Sequence, residues 1–498
     1  MPTNKKKIAF DNKKYLKIQR QEILKRIKSF GGKLYLEFGG KLFDDFHASR
    51  VLPGFEPDSK LQMLLTLKDD AEIVMAVNAN DIKSNKVRND LGITYQSEVE
   101  RLIDAYQEAG LYVSSVVFCF YEESQVLKIF AQKLRKNGIK VYKHYKIDGY
   151  PHNLVSVFGS NGFEKNDYVE TTKPLIVVTA PGPGSGKMAV CLSQLYHDMN
   201  RGIKSGYAKY ETFPVWNLPL SHPVNLAYEA ATVDLADVNM IDPYHLAAYG
   251  KTTTNYNRDI ETFPLLKTIF EKIYGSSPYQ SPTDMGVNMV GFAIINDNVA
   301  CEASKQEVIR RYYQARKNVY LGKFADDTIT KEESLMTALG ISVDDRPTVK
   351  ACLDKAAKCK ERVVAIELPN GKIITGKRSI LLGAPAAMLL NTLKYLGKID
   401  DSIHLISPHV VTPMADLKTG PLKKENPRIR SEEILIALAI QASSNPLAEL
   451  ALKQIPKLKG SEAHCSCILS DADLRTLTAL GINVTEEPVG YAHKLYFK

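Results

Sequence analysis

The sequence predicts a multidomain α/β protein: an N-terminal mixed/parallel sheet domain with a P-loop-like strand-loop-helix, a helical middle segment and a smaller C-terminal α/β domain. Strand and helix periodicities alternate from Tyr112 to Tyr145, the pattern of a parallel sheet built from βαβ units. A hydrophobic strand at Pro174–Thr179 runs through a Gly/Pro loop into an amphipathic helix. The texture then changes twice, to charged helices and afterwards to a hairpin signal, which places boundaries at residues 1–300, 301–360 and 361–498.

The elements follow in order. Leu16, Ile23, Leu24, Ile27 and Phe30 recur at helical spacing between residues 13 and 30, with lysines and arginines elsewhere on the helix. Gly31 and Gly32 stop it, and Leu34–Phe38 reads as a strand that ends at Gly39 and Gly40. Strands at Ile73–Val77, Tyr112–Tyr121 and Lys140–Tyr145 alternate with helices at Glu98–Ala109 and Gln125–Lys136. After the helix Lys187–Asn200, periodicity disappears from Gly206 to Asp259 while aromatics, Pro, Asn, Asp and His accumulate, which reads as a long loop of functional type. Met289–Asn296 reads as a strand and residues 302–360 as helices. In the last third, Val363–Leu368, Asn370-Gly371 and Lys372–Thr375 form a hairpin signal. Leu381–Leu396 is a predicted helix, Ile403–Ile406 a strand, and Glu432–Ser443 a helix apolar nearly all round and so expected to be buried. Cys467–Leu469, Asp471–Leu480 and Ile482–Glu486 read as strand, helix, strand.

Charge and composition exclude several classes of function. The 498 residues carry a formal charge of +9, yet the first 28 hold ten lysines and arginines against two acids, so the remainder carries only +1. A nucleic-acid binder spreads basic residues over the face that tracks phosphates, and no nucleic acid is expected as a partner. No apolar run approaches the roughly 20 residues that span a bilayer, nor does the lysine-rich start lead into a signal sequence. Seven scattered cysteines suit reduced thiols and a cytoplasmic address.

The strongest chemical signal is Thr179-Ala180-Pro181-Gly182-Pro183-Gly184-Ser185-Gly186-Lys187. Between a strand and a helix, glycines let backbone N–H groups approach phosphate oxygens, the helix N-terminus adds its positive dipole end, and Lys187 adds a full charge. Gly182, Gly184, Ser185, Gly186 and Lys187 are therefore the candidate phosphate cradle. The spacing departs from G-x-x-x-x-G-K-[ST], because Pro181 stands at the first glycine position and Met188 where the Mg²⁺-holding hydroxyl belongs. The same pattern also suits a turn that only packs strand against helix. A second constellation, Glu37, Gly39, Gly40, Lys41, Asp44, Asp45, His47 and Arg50, offers groups that orient substrate or move protons, and equally a solvated loop. Within the aperiodic segment, Trp216 and Asn217 join Lys41, Asp45, His47 and Arg50 as substrate-binding candidates. Asp234 and Asp237 are candidate Mg²⁺ ligands, and Asp242 and His245 join Lys187 as candidate catalytic groups. Near the C-terminus, Glu462, His464, Cys465 and Cys467 lack a second ligand pair for zinc. Lys424, Arg428 and Arg430 form either an anion site or a solvated rim.

Tyr35 through Glu37 and Lys41 to His47, Arg50 and Gly54, the loop Ala180–Lys187, Pro214–Asn225, Asn239, Asp242, Pro243, His245 and Asp284–Gly291 resemble the bacterial domain-of-unknown-function 1846 family over essentially the whole chain. The resemblance implies a bacterial, cytoplasmic, oligomeric protein without fixing an activity. Some members bear a label of ATP-dependent peptidase, for which these residues supply no nucleophile and base. Members similar to this chain carry Cys at the position of Ser461 and Ser at that of Cys465, which counts against either as an essential nucleophile. The expected function is that of an enzyme that binds ATP, another nucleotide or a small phosphorylated molecule at Gly182–Lys187, with magnesium, and transfers or hydrolyses a phosphoryl group. The alternative is a non-catalytic phosphometabolite-binding or assembly protein, a homo-oligomer in either case.

Overall fold

The computed structural model describes residues 8–39, 45–88, 92–235 and 237–490. They form two compact bodies, one of residues 8–229 and 237–303, the other of residues 304–490 with 230–235. Among the described residues no helix is long and apolar enough to cross a membrane.

The first body is built on a seven-stranded sheet of β1 (Leu34–Phe38), β2 (Ala71–Asn78), β3 (Val113–Cys119), β4 (Lys140–Lys143), β5 (Leu175–Thr179), β6 (Gly206–Tyr210) and β7 (Gly286–Val287). Their spatial order is β7-β6-β1-β5-β2-β3-β4, and every pairing is parallel. Parallel sheets are covered on both faces, so their strands read as continuous apolar runs; β1, β3 and β5 are buried along their whole length. One face packs on α1 (Asn12–Ser29), α2 (Tyr95–Glu108) and α3 (Gln125–Lys136), with Leu36, Val77 and Val177 meeting Ile23, Leu102 and Phe130 in one core. The other face presents Tyr35, Val74, Ile176 and Tyr207 to α4 (Lys187–Asn200) and α5 (Asn257–Tyr274). The stripe expected on α1 docks as the spacing implies, with Ile23 and Ile27 buried and Leu16, Leu24 and Phe30 packed beside them. Gln19 fixes the helix to the far strand: its amide donates to the Val287 carbonyl (3.0 Å) and accepts from the Met289 N–H (2.9 Å).

The helical middle is α6 (Asp297–Tyr320), α7 (Asp327–Ala338) and α8 (Pro347–Cys359). The C-terminal sheet is smaller and mixed: β8 (Val363–Glu367), β9 (Ile373–Lys377), β10 (Glu462–Cys465) and β11 (Asn483–Glu486) in the order β9-β8-β10-β11, with only β10 and β11 parallel. It packs on α9 (Ala384–Gly397), α10 (Ser431–Ala442) and α11 (Asp471–Ala479).

Several sequence expectations are corrected. The segment 206–259 is not a long loop: after β6 it holds a helix at Pro223–Ala231, an antiparallel ribbon of Asn239–Ile241 with Thr254–Tyr256, and a helix at Pro243–Tyr249. Its Asn and Asp residues stitch these short pieces together. Asn225, for example, bonds both the N–H (2.7 Å) and the carbonyl (3.2 Å) of Val215. Met289–Asn296 is not a strand, because Asn288 turns the chain into a short 3₁₀ helix at Val290–Ala293, and the strand lies earlier, at Gly286–Val287. Ile403–Ile406 buries Leu405 and Ile406 without joining a sheet. The strand expected at Cys467–Leu469 runs instead from Glu462 to Cys465. Finally, α10 is not buried all round: Ile434 and Leu438 reach the core, whereas Ile436 and Ile440 are 53% and 64% exposed.

One buried charge organises the back of the sheet. The Asp198 carboxylate, fully buried on α4, accepts from Lys33 (3.0 Å), Tyr35 (2.9 Å) and Tyr168 (2.8 Å). Replacing it by alanine leaves a lysine and two hydroxyls without their acceptor, and such losses cost about 3–5 kcal/mol. Asp198→Ala is expected to lower unfolding free energy by that order in urea titrations; a loss below about 1 kcal/mol would show that water replaces the carboxylate.

Candidate functional site

The glycine loop leaves the carboxyl end of β5, the strand flanked on both sides by parallel partners. From β2 the chain moves outward to β3 and β4, whereas from β5 it moves the opposite way to β6. Open parallel sheets bind ligands in the crevice outside the strand ends where this reversal occurs. Gly184 and Gly186 adopt left-handed backbone angles, φ +69° and +89°. A Cβ on Gly186 would stand 3.1 Å from the Cys119 sulfur, so both conformation and neighbours call for glycine. The Ser185 hydroxyl is turned inward and donates to the Gly182 carbonyl (2.7 Å), which shapes the loop. Asn78 at the end of β2 donates to the Gly184 carbonyl (3.4 Å). Helix α4 therefore opens with no side-chain cap. Among the described residues, the N–H groups of Lys187, Met188 and Ala189 donate to no protein acceptor, the orphan donors of a helix N-terminus.

These groups face a cavity of about 460 Å³, lined at one end by Gly184–Ala189 and elsewhere by Glu37, Phe120, Tyr145, Tyr150, Leu265 and others. Its wall is mainly apolar and aromatic, with Glu37, His144, Lys146, Asn166 and Thr262 as the polar side chains outside the loop. Glu37, buried on β1, accepts a hydrogen bond from the Tyr207 hydroxyl (2.7 Å). Buried His144 also lines the cavity, with Nε2 3.2 Å from both the Asp167 carbonyl and the Gln194 amide. Burial pushes its pKa down to about 3, so the ring is neutral at physiological pH. Burial pushes the Cys119 thiol up to about 12 and raises Cys191 well above its usual range, which leaves neither as a thiolate nucleophile.

Next to Glu37 in the sheet, its register partner Lys209 begins a second polar cluster. Lys209 reaches Glu211 (2.9 Å), Asp259 and the Tyr256 hydroxyl. Burial and the Asp259 carboxylate raise the Glu211 pKa to about 7 against the pull of Lys209. Coulombic attraction from Asp259 and Glu211 outweighs burial and raises Lys209.

The structure brings Gly184, Ser185, Gly186 and Lys187 together with Glu37 and leaves the other sequence candidates elsewhere. Lys41 and Asp44 lie outside the described residues. Asp45 pairs with Lys60 (2.9 Å) and caps the short helix Phe46–Val51, His47 packs on the Phe213 ring, and Arg50 lies on the same helix. Trp216 is partly buried against Gly286, and Asn217 packs on Gly291. Asp242 is a buried helix cap that accepts from the N–H groups of Tyr244 and His245 (3.0 Å each) and from the Thr283 hydroxyl (2.7 Å). His245 bonds Ser281 (3.0 Å), Asp237 pairs with Arg258 (2.6 Å), and Asp234 is exposed on a 3₁₀ turn. None of these residues lines the cavity.

Sequence reasoning did not join His222 to Asp297 and Cys301, which together form the one group within metal-ligating distance among the described residues. The ring argues against a metal there. Its Nδ1 accepts from the Val224 N–H (3.2 Å), so Nε2 carries the proton and donates to Asp297 (3.0 Å). A ligating imidazole has the opposite arrangement, donating through its second nitrogen. Nor is this a nucleophile triad, since Cys301 and Asp297 both approach the same nitrogen.

An all-parallel open sheet with a glycine loop on its central strand and a crevice beyond it defines an α/β protein of the doubly wound class. The chain belongs to the family of domain of unknown function DUF1846: the N-terminal family model matches residues 8–340 and the C-terminal model residues 344–496. It is 55% identical over 493 residues to UPF0371 proteins of Streptococcus pyogenes serotype M5 (strain Manfredo) and serotype M18 (strain MGAS8232), which covers 99% of this chain and 100% of each relative. A UPF0371 protein of Streptococcus equi subsp. zooepidemicus (strain H70) is 55% identical over 491 residues, 99% of this chain and 98% of the relative. The resemblance read from the motifs holds over both domains, and these relatives are bacterial.

The Glu211 cluster gives a pH signature. A carboxyl whose folded pKa lies above its unfolded value binds more protons when folded, so its contribution is fully present below about pH 4.5 and is lost as pH rises through about 7. Glu211→Gln is expected to flatten the fall in stability across that window. A variant whose pH profile overlays that of the parent protein would place the titration elsewhere.

Proposed function

We propose that this chain binds a small phosphorylated molecule, with a nucleotide as the leading class, in the cavity above β5. The observation that carries the reading is the convergence of an uncapped helix start, Lys187 and two left-handed glycines on a cavity at the reversal point of a parallel sheet. Phosphate oxygens take the N–H groups of Lys187, Met188 and Ala189, and the Lys187 ammonium supplies the compensating charge. The apolar wall from Phe120 to Leu265 suits the flat, weakly polar remainder of the ligand.

Phosphoryl transfer is the reaction this arrangement would support, with Lys187 and the N–H groups stabilising charge on the transferred group. Among the described lining residues Glu37 is the one carboxylate, and it is the group of this chain suited to orient an acceptor hydroxyl or hold Mg²⁺. In the non-catalytic form of the proposal, Glu37 only bonds a ligand hydroxyl. Cys119, the cysteine among the described lining residues, does not support thiol proteolysis, because burial keeps it neutral.

Thermal shifts with Mg-ATP, Mg-GTP and sugar phosphates test binding. A ligand at a hundredfold excess over its Kd stabilises by about 2.7 kcal/mol, and Lys187→Ala is expected to abolish that gain for Mg-ATP and Mg-GTP. Equal nucleotide shifts in the parent protein and Lys187→Ala would sink the proposal. Glu37→Gln separates the two forms: binding retained with turnover lost supports catalysis, whereas a ligand recovered chemically unchanged from the parent protein supports binding alone.

A further inference from the structure

The C-terminal body holds a second cavity, of about 150 Å³, on which separate segments converge. Arg362 leads into β8 and Arg378 follows β9. Because these strands are antiparallel partners, both arginines stand at one end of the hairpin, joined by the Arg378 N–H donating to the Arg362 carbonyl (2.8 Å). Arg428, from the segment before α10, is clipped to them as its Nε donates to the Ser379 carbonyl (2.8 Å). Arg430 completes the set. The cavity also receives Gly383 and Ala384, the start of the 14-residue helix α9, which has no side-chain cap.

Four arginines thus line the cavity with one carboxylate, Asp473, whose oxygens are already occupied, while Arg362 also donates to the Gly490 carbonyl (3.3 Å) and Arg428 to the Asn426 side chain (3.5 Å). Oδ1 accepts from the Ser431 N–H (2.9 Å) and hydroxyl (2.7 Å), and Oδ2 from the Ser470 hydroxyl (2.7 Å). Arg378 meets Glu361 through Nε (2.6 Å), with Glu361 outside the cavity lining. The hydrogen bond from Cys465, whose sulfur lies 3.9 Å away, and then the fields of Arg362 and Arg378 draw the Cys467 thiol down to about 7 although it is buried. Arginine forks suit tetrahedral oxyanions, and the Ala384 N–H adds one donor at the start of α9, where Gly383 already donates to the Ile429 carbonyl (3.0 Å) and Pro385 has no N–H.

We propose that this cavity binds a small oxyanion, either inorganic phosphate or the phosphate group of a monoester, through Arg362, Arg378, Arg428 and the start of α9. The volume admits a group of that size and falls short of the roughly 300 Å³ at which pockets for larger organic ligands begin. The site is independent of the glycine-loop cavity and stands or falls separately from it.

Calorimetric titration of the full chain with inorganic phosphate, glycerol phosphate and succinate tests the proposal, with peptide-resolved alkylation of Cys467 at pH 7 as a second readout. Phosphate or its monoester is expected to bind the parent protein and Lys187→Ala alike and to slow Cys467 alkylation, since a bound anion disfavours the thiolate. Arg378→Ala and Arg428→Ala are each expected to weaken binding at least tenfold, with Arg428→Lys restoring only part because lysine lacks the fork. Binding of monoester but not phosphate, or the reverse, identifies the source within the same chemistry. Heat lost in Lys187→Ala but kept in the arginine variants, binding of succinate alone, or an alkylation rate unmoved by millimolar phosphate would each overturn it. The alkylation measurement needs only the parent protein, so the test survives an arginine variant that fails to fold.

Discussion

The position of β5 between β1 and β2 is the constraint on which the N-terminal body depends. A strand that is 174 residues into the chain takes the centre of a sheet whose flanking strands were laid down much earlier. Its five residues, Leu175 to Thr179, are all buried, so both faces need helical cover and both edges need partners. With β2 leading one way and β5 the other, the helices following them part above the strand ends. The crevice is therefore a consequence of strand order, and the glycine loop lies at it because that loop follows the central strand.

Electrostatics in the crevice is arranged by pairing rather than exposure. Glu37 would be costly as an isolated buried carboxylate, and the Tyr207 hydroxyl answers it from the adjacent strand. One register position further across the sheet, Lys209 answers Glu211 and Asp259. Lys209 is thus spent on two carboxylates, and the positive groups on the cavity wall are Lys187, Lys146 and the orphan N–H groups at the start of α4. The C-terminal body follows a different rule: four arginines line its cavity with one carboxylate, Asp473, while Arg378 is paired with Glu361 outside the lining.

Strands and helices with long periodic patterns were legible from sequence because burial on one or two faces fixes residue type along the whole element. Leu34–Phe38, Gln125–Lys136 and Lys187–Asn200 sit where their patterns place them. The segment from 206 to 259 defeated the same reasoning since its elements are three to nine residues long and are held by side-chain hydrogen bonds, not by an apolar stripe. Asp242 illustrates the ambiguity. A carboxylate that caps a helix and holds a distant hydroxyl has the same sequence appearance as a metal ligand or a base. In α10, seven successive apolar residues at 434–440 suggested burial all round, but an outer helix of a small body exposes Ile436 and Ile440 on its free side.

The search for a carboxylate near the glycine loop shows what sequence order conceals. A phosphate-binding loop draws its acidic partner from the end of a neighbouring strand, and neighbours in a parallel sheet are set by crossover topology, not by distance along the chain. Reading forward from Lys187 leads to Asp234, Asp237 and Asp242, none of which lines the cavity. The strands that flank β5 are β1 and β2, whose carboxyl ends carry Glu37 and Asn78. Asn78 is spent on the Gly184 carbonyl and shapes the loop. Glu37 pairs in register with Val178, one residue short of the end of β5, and lies on the same face of the sheet as α4. The residue that strand order selects thus comes from the opposite end of the domain in sequence, and its relevance becomes visible only once β5 is known to insert beside β1.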